Sequence, residues 1–396
     1  MALKKFGGRG MANRRRRLAD RRRSVGLTQE NLAEHLGVDR STVVRWETGT
    51  VSPQPWMRPR LADALRITVE ELVDLLTNEA KGDGPARRGQ DAAFVDSATQ
   101  VTAADLRDTF DELVSRYDQA PSASLLAKGG EHLSLITDMA RNAPAGRAGR
   151  ELLTLQADVL AFMGQLVWDA SQRRDHATAR LYYDESLRVA RHLHDPTLEA
   201  RARLRTSYVA LYGAKDPRTG LDLALQAAET ARPTSPAVTG LSLLHAGEAY
   251  AMLGRARECE AALAAARQQL ERTDGMDAAA DLISPTQFGR LAGSCYLSLG
   301  EHRRAEELLQ ATAAQLQDRR KSRAIVLGNL TLAYIRQGEV DAAVAALTEA
   351  IAEVRETRGG GGLNVVFNAA RELSPWRQER IVADVHDQLF ALMATA

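Results

Sequence analysis

Gly26-Leu27-Thr28-Gln29-Glu30-Asn31-Leu32-Ala33-Glu34-His35-Leu36-Gly37-Val38, followed at once by Asp39-Arg40-Ser41-Thr42-Val43-Val44-Arg45-Trp46-Glu47, decides how the amino-terminal part of this sequence folds. Thr28 is a natural N-cap, because its hydroxyl can accept from a backbone N–H inside the first turn. Leu32, Ala33 and Leu36 then form an apolar stripe at helical spacing, and Gly37 ends the helix. A second helix starts after a three-residue turn and closes at Gly49. Val43 and Trp46 fall on its inward side, where core packing explains them. Two short helices joined so tightly must cross steeply.

Such a crossing is the helix-turn-helix arrangement, in which the second helix lies in the major groove with its first residues at base edges. Gly26-Leu27-Thr28-Gln29, Leu32-Ala33, Leu36-Gly37-Val38, Ser41-Thr42-Val43, Trp46-Glu47 and Gly49 resemble the Cro/repressor-like (XRE) helix-turn-helix family. Pro55 to Leu65 and Thr68 to Leu76 are similar to its fourth and fifth helices. The resemblance implies that Gln29 touches phosphate and braces the recognition helix. It further implies that Arg40, Ser41, Thr42 and Arg45 stand where the family reads DNA, and that Arg22 and Glu47 form a partly buried ion pair. Arg40 carries a five-donor fork suited to guanine O6 and N7. Asn31 departs from the capping box, which would place Glu or Gln there. The run Arg14 to Arg17, Arg14 and Arg15 above all, and Arg21 to Arg23 are expected at phosphates or on a solvated basic face.

Charge agrees with a DNA-facing end. The whole chain of 396 residues is nearly neutral, with 52 Lys+Arg against 51 Asp+Glu. Residues 1–76 hold 15 Lys/Arg and 9 Asp/Glu, net +6, which leaves net −5 on the remainder. A basic head on a mildly acidic body suits a polyanion at one end. Only six of the cations are Lys, so arginine counts alone are weak evidence. Two cysteines, Cys259 and Cys295, exclude a secreted disulfide framework and are read as buried small hydrophobes in a reducing cytoplasm. No apolar run of about 18 residues suggests a spanning helix, and the Arg-rich start lacks a signal peptide's apolar stretch.

Four regions follow: residues 1–12, disordered; 13–76, the DNA-binding domain; 77–100, a Gly- and Pro-containing linker; and 101–396, helical repeats with terminal capping helices. A coil of about 24 residues spans roughly 25–30 Å. Glu248-Ala249-Tyr250-Ala251-Met252-Leu253-Gly254, Ser294-Cys295-Tyr296-Leu297-Ser298-Leu299-Gly300 and Leu332-Ala333-Tyr334-Ile335-Arg336-Gln337-Gly338 each set an aromatic four residues before a turn Gly. Weaker copies turn at Arg174-Asp175 and Lys215-Asp216. The turns at 174, 215, 254, 300 and 338 are 41, 39, 46 and 38 residues apart. A period near 40 with two helices per unit marks a solenoid with a concave inner wall. Thr273 to Pro285 reads as an insertion, and Gly359 to Gly362 as a linker.

Residues 150–357 resemble the tetratricopeptide repeat family, through Ala249-Tyr250, Ala333-Tyr334, the turn glycines, and the small residues Ala256, Ala305 and Ala342. The units run longer than that family's usual length, and the first two lack the turn Gly. The expected fold is all-α, a five-helix DNA-binding head followed by a tetratricopeptide-like solenoid. The repeat register turns Gln165, Trp168, Arg205, His245, Glu248, Arg290 and Asn329 inward as effector candidates. The resemblance implies that Asn329 bonds a bound peptide's backbone.

The joined halves resemble peptide-sensing quorum regulators and the regulators of development and antibiotic production in filamentous actinobacteria. The resemblance implies a homodimer that binds double-stranded DNA and answers to a peptide or small-molecule effector. The alternative is a repeat scaffold whose head has lost base reading. No cofactor, metal or membrane is expected: His192 and His194 face opposite sides of a helix, and no catalytic motif stands out.

Overall fold

The computed structural model describes residues 16–48, 53, 57–76, 102–143 and 146–394. Among these residues the protein is all-helical, without a strand. Residues 1–12, Arg14, Arg15, Gly49, Trp56 and the linker 77–100 lie outside the described residues. Two compact units emerge, one within Met1–Thr109 and Gly130–Leu152, the other within Phe110–Gly129 and Leu153–Ala396.

The head of the first unit contains α1 (Arg16–Ser24), α2 (Gln29–Leu36), α3 (Arg40–Thr48), α4 (Arg58–Ala64) and α5 (Val69–Leu76). Thr28 caps α2 by accepting from the Asn31 N–H at 3.0 Å, and Gly37 ends it at φ +67°. Asn31 answers with its own side chain, whose Oδ1 accepts from the Thr28 hydroxyl at 2.9 Å. The departure from a Glu at this position therefore leaves the cap intact. Thr68 and Glu71 form a reciprocal capping box at the start of α5. The core joins Leu18, Leu32, Leu36, Val43, Trp46, Leu61, Leu65 and Leu72. Within the same unit the Arg58 guanidinium donates to Ser134 Oγ at 2.5 Å.

Beyond the head, α6 (Ala103–Tyr117), α7 (Ser122–Asn142) and α8 (Arg147–Ala170) lead into helix pairs. These are α9 (His176–Leu193), then α10 (Pro196–Tyr208) paired with α11 (Pro217–Ala231), α12 (Pro236–Met252) paired with α13 (Ala256–Glu271), and α14 (Gln287–Ser298), which opens the next pair. They continue through α15 (His302–Gln315), α16 (Arg320–Gln337) and α17 (Val340–Thr357) to α18 (Gly360–Glu372) and α19 (Arg380–Ala394). The even-numbered helices from α10 to α18 pack on one another from unit to unit. Burial on both sides explains why α12 and α16 are apolar nearly all round. The turn positions are confirmed: Gly254, Gly300 and Gly338 have φ +71°, +82° and +79°. Where the turn Gly is missing, Arg173 and Lys215 take the left-handed conformation instead, at φ +61° and +55°. Residues 273–286 form the irregular insertion, with one 3-10 turn at Ala280–Leu282.

Gly359 to Gly362 is not a linker. Gly360 to Gly362 are buried in the first turn of α18. The reason is close packing: a Cβ on Gly360 would stand 2.7 Å from the Asp169 carbonyl oxygen and 2.8 Å from Gln172 Cα. Glycine here admits a helix against a backbone, which composition alone reads as flexibility. The Gly360 N–H donates to Asp169 Oδ1 at 2.8 Å. Asp169 Oδ2 also accepts from the Ser122 hydroxyl at 2.7 Å and pairs with Lys321 Nζ at 3.0 Å. Lys321 and Asp169 are both buried. Further along, Asp118 accepts from the Lys321 N–H and the Ser322 hydroxyl, and Asn364 donates to the Gln172 carbonyl. The last repeats of the second unit thus close on its first helices.

Gly360→Ala is expected to lower stability by about 1–3 kcal/mol through overpacking, read as a drop in unfolding midpoint. A neutral outcome would show that α18 does not dock on α8.

Candidate DNA interface and inner-wall site

Helix α3 is held by one carboxylate. Glu47, at the end of α3, accepts from Arg22 Nε at 2.6 Å and from Arg22 Nη2 at 3.3 Å. Gln29 Nε2 donates to the same carboxylate at 2.7 Å. Arg22 spends a further donor on the Leu27 carbonyl at 2.7 Å. With side chains only 7% and 8% exposed, the Arg22–Glu47 pair ties α1, α2 and α3 at a single point. Buried pairs of this kind fix geometry more than they add stability.

On the outer side of α3, Arg40, Ser41 and Arg45 are exposed and Thr42 is half-buried. Arg45 folds along its own helix, donating from Nε to the Ser41 carbonyl and from Nη2 to the Thr42 hydroxyl. Arg40 leans back on α2, with its Nε 2.7 Å from Glu30 Oε1 and its Nη2 3.5 Å from Gln29 Oε1. Gln29 is thereby engaged at both amide atoms. Sequence reasoning missed Glu30, although a carboxylate beside Gln29 and near the helix that follows was the signal available.

The basic run divides by role. Arg21 donates to the carbonyls of Leu65 and Arg66 at 2.9 and 2.6 Å, finishing α4. Arg22 is buried against Glu47, and Arg23 pairs with Asp20. Arg21 and Arg22 are thus structural rather than free for phosphate, a correction to reading the whole run as a backbone-contacting face.

In the second unit, five of the seven inward candidates converge. Trp168, Ala179, Tyr183 and Val209 pack together with Tyr208 and Tyr212 against them. A π-helical stretch, Val209–Ala214, follows α10 and carries Tyr212. Such stretches recur at functional sites. The Tyr212 hydroxyl lies 2.6 Å from His245 Nδ1 and donates to the Glu248 carboxylate. His245 Nδ1 is 3.0 Å from Glu248 Oε2, and its ring centroid is 4.3 Å from that of Tyr208. Arg205 sits over Tyr208 at 5.6 Å, and Arg173 over Trp168 and Tyr212 at 4.8 and 5.7 Å.

Burial pushes the His245 imidazole down, with Arg290 and Arg205 adding to that push against Glu248. Glu248 is held below the usual carboxylate range; burial opposes this, but hydrogen bonds from His245 and Tyr212 and the charge of Arg290 outweigh it. A neutral ring whose Nδ1–H faces Glu248 leaves Nε2 as a bare acceptor. His245 Nε2, Trp168 Nε1 and Arg173 Nε are buried without a hydrogen-bond partner among the described residues.

Of the two remaining candidates, Gln165 bonds the Tyr117 hydroxyl, and half-buried Asn329 lies on α16. Arg173, Tyr208 and Tyr212 were not among the candidates. A helix register assigns faces but cannot foresee a π-helical turn. Cys259 and Cys295 are fully buried as expected, and their thiols face each other. Among the described residues no cluster of His, Cys, Asp or Glu could hold a metal ion. Among the described residues no helix is long and apolar enough to cross a membrane.

A helix-turn-helix domain family matches residues 15–76. An uncharacterized HTH-type transcriptional regulator of Methanothermobacter thermautotrophicus is 40% identical over 65 residues, which is 16% of this chain and 94% of the relative. Bacillus thuringiensis PlcR, solved in complex with the peptide PapR7 and DNA, is 15% identical with a TM-score of 0.32, over 82% of this chain and 98% of that one. The APC/C hetero-tetramer Cut9-Hcn1 is 15% identical with a TM-score of 0.36, over 93% of this chain and 68% of that one.

Removing Glu47 should leave Arg22 buried and unpaired. Glu47→Ala is expected to destabilise the head by about 3–5 kcal/mol, whereas Arg45→Ala should leave its melting point unchanged. Equal effects would deny Glu47 its bracing role. Through residues 15–76, the chain belongs to the helix-turn-helix domain family.

Proposed function

We propose that this protein is a cytoplasmic, homodimeric transcriptional regulator that reads a specific DNA sequence through α3. In this reading the tetratricopeptide-like repeats bind an effector on their inner wall. The observation that carries it is the brace at Glu47, which fixes α3 from behind while Arg40, Ser41 and Arg45 remain exposed in front. Arg40 would read a guanine, Ser41 and Thr42 would make weaker polar contacts, and Arg45 would reach a base or a phosphate. Gln29, Arg14 and Arg15 would meet the backbone, where contacts position the protein without specifying sequence.

A small head has modest affinity alone, and two heads on half-sites about one helical turn apart supply the rest. The convergence of Trp168, Arg205, His245, Glu248 and Arg290 supports the inner wall as the effector site, and Gln165 and Asn329 would add polar contacts elsewhere along it. An effector that binds two repeat arrangements unequally would shift DNA affinity by that difference.

Selection of genomic fragments, followed by titration at two salt concentrations, tests the reading. Specific binding well above random duplex and a steep salt slope are expected. A protein indifferent to sequence would instead be a repeat scaffold with an inactive head. Arg40→Ala should cost about 1–3 kcal/mol on the selected site and relax one base position. Glu30→Gln should act oppositely. It frees Arg40 and removes a negative charge from the DNA-facing side, so a several-fold tighter complex at low salt is expected. Weaker binding would mean that the Glu30–Arg40 contact presents the arginine rather than restraining it.

A further inference from the structure

Most arginines in the second unit either meet a carboxylate or lie exposed to water. Arg188 meets Glu185, Arg201 meets Asp158, Arg304 meets Glu260 and Glu301, Arg323 meets Glu349 and Glu353, and Arg336 meets Glu372. Arg173, Arg205 and Arg290 break this rule. Each is half-buried, and among the described residues none pairs with a carboxylate. The nearby carboxylate, Glu248, is occupied by Tyr212 and His245 rather than by a guanidinium.

Arg173 and Arg205 lie over rings of one aromatic group, and the charge of Arg290 bears on the same residues. Arg173 and Arg205 both act on Tyr183, Arg205 and Arg290 both act on Tyr208, and Arg290 acts on Tyr212, over which Arg173 lies. Trp168 Nε1, on a side chain 4% exposed, and the Arg173 Nε are donors still seeking an acceptor. Half-buried cations without partners, beside buried unsatisfied donors, are costly unless an anion completes them.

We propose that the inner wall takes an amphiphilic carboxylate, its anionic group held among Arg173, Arg205 and Arg290 and its apolar body lying against Tyr208, Tyr212 and Trp168. This inference rests on the effector reading above and names the effector's chemical class. A carboxylate presents acceptor oxygens that match both the planar guanidinium forks and the indole N–H. The aromatic faces would supply apolar contact to the adjoining carbon skeleton. The free imidazole Nε2 of His245 adds a selective element, since a ligand hydroxyl or N–H would be bound there and a purely hydrocarbon body would not.

The test uses the full-length protein and four probes: N-acetyl-leucyl-phenylalanine as the free acid, its carboxamide, 3-phenylpropanoate and inorganic phosphate. Thermal midpoint and tryptophan fluorescence report binding. The acids are expected to bind saturably at millimolar concentration or below, about tenfold or more tighter than the carboxamide or phosphate. Preference for the peptide acid over 3-phenylpropanoate would assign the carboxylate to a peptide terminus, and the reverse to a small acid.

The double variant Arg205→Gln/Arg290→Gln should lose this binding by about tenfold or more. Its ligand-free midpoint should match or exceed that of the parent, because two unpaired cations are gone; an unfolded variant would fail that control. Arg205→Lys/Arg290→Lys should recover part of the affinity. Carboxamide binding equal to acid binding, or full affinity in the Gln double variant, would overturn the anionic class while leaving an effector site in place. A parent protein that responds to no probe also overturns it. In that case a midpoint shift with small-molecule fractions of a cell extract separates a wrong class from the absence of any effector.

Discussion

Asp169 is the point on which the second unit depends. Its two oxygens accept from the Ser122 hydroxyl, the Gly360 N–H and Lys321, joining α7, α8, α16 and α18. A helical solenoid is ordinarily one-dimensional, each pair resting on its neighbours, and its ends must be capped. Here the two ends meet at a buried charge. Removing a carboxylate from water is unfavourable unless every lone pair finds a donor, so the site tolerates little displacement of any of the four helices. Closure therefore fixes the curvature that apolar stacking alone would leave adjustable.

The inner-wall cluster is built directly onto this junction. Trp168 precedes Asp169 in sequence, and Arg173 stands so close to Gly361 that a Cβ there would collide with its guanidinium. Any group that engages Arg173 bears on the contact between α8 and α18. The π-helical turn after α10 serves the same wall. It inserts an extra residue into the helical spacing and carries Tyr212 onto His245 and Glu248.

Legibility in the sequence followed the range of the interactions. The head was readable because its signals are local: Thr28 caps α2, Gly37 ends it, and Val43 and Trp46 turn inward by helical spacing. Even the Arg22–Glu47 pair came through a motif that fixes both partners. The repeats were readable because a period near 40 carries its own register. What failed was long-range. Gly360 to Gly362 looked like a linker, since nothing local says that a helix from the far end of the chain lies against them. Arg21 looked like a phosphate contact, and only the tertiary fold brings the Leu65 and Arg66 carbonyls to it. Arg173 and Tyr212 were invisible because a left-handed turn and a π-helical turn placed them.

The head shows how such a module can be rigid and restrained at once. Glu47 fixes the axis of α3 through buried contacts. Glu30 holds Arg40 through an exposed contact in which both side chains remain more than half accessible. Exposed ion pairs are worth little in water and are screened by salt, so Arg40 can leave Glu30 at small cost. A buried pair thus sets the position of α3, and a weak exposed pair holds its leading arginine in a contact that is easily broken. Exchanging the two strengths would give either a helix without a fixed axis or an arginine that is never released.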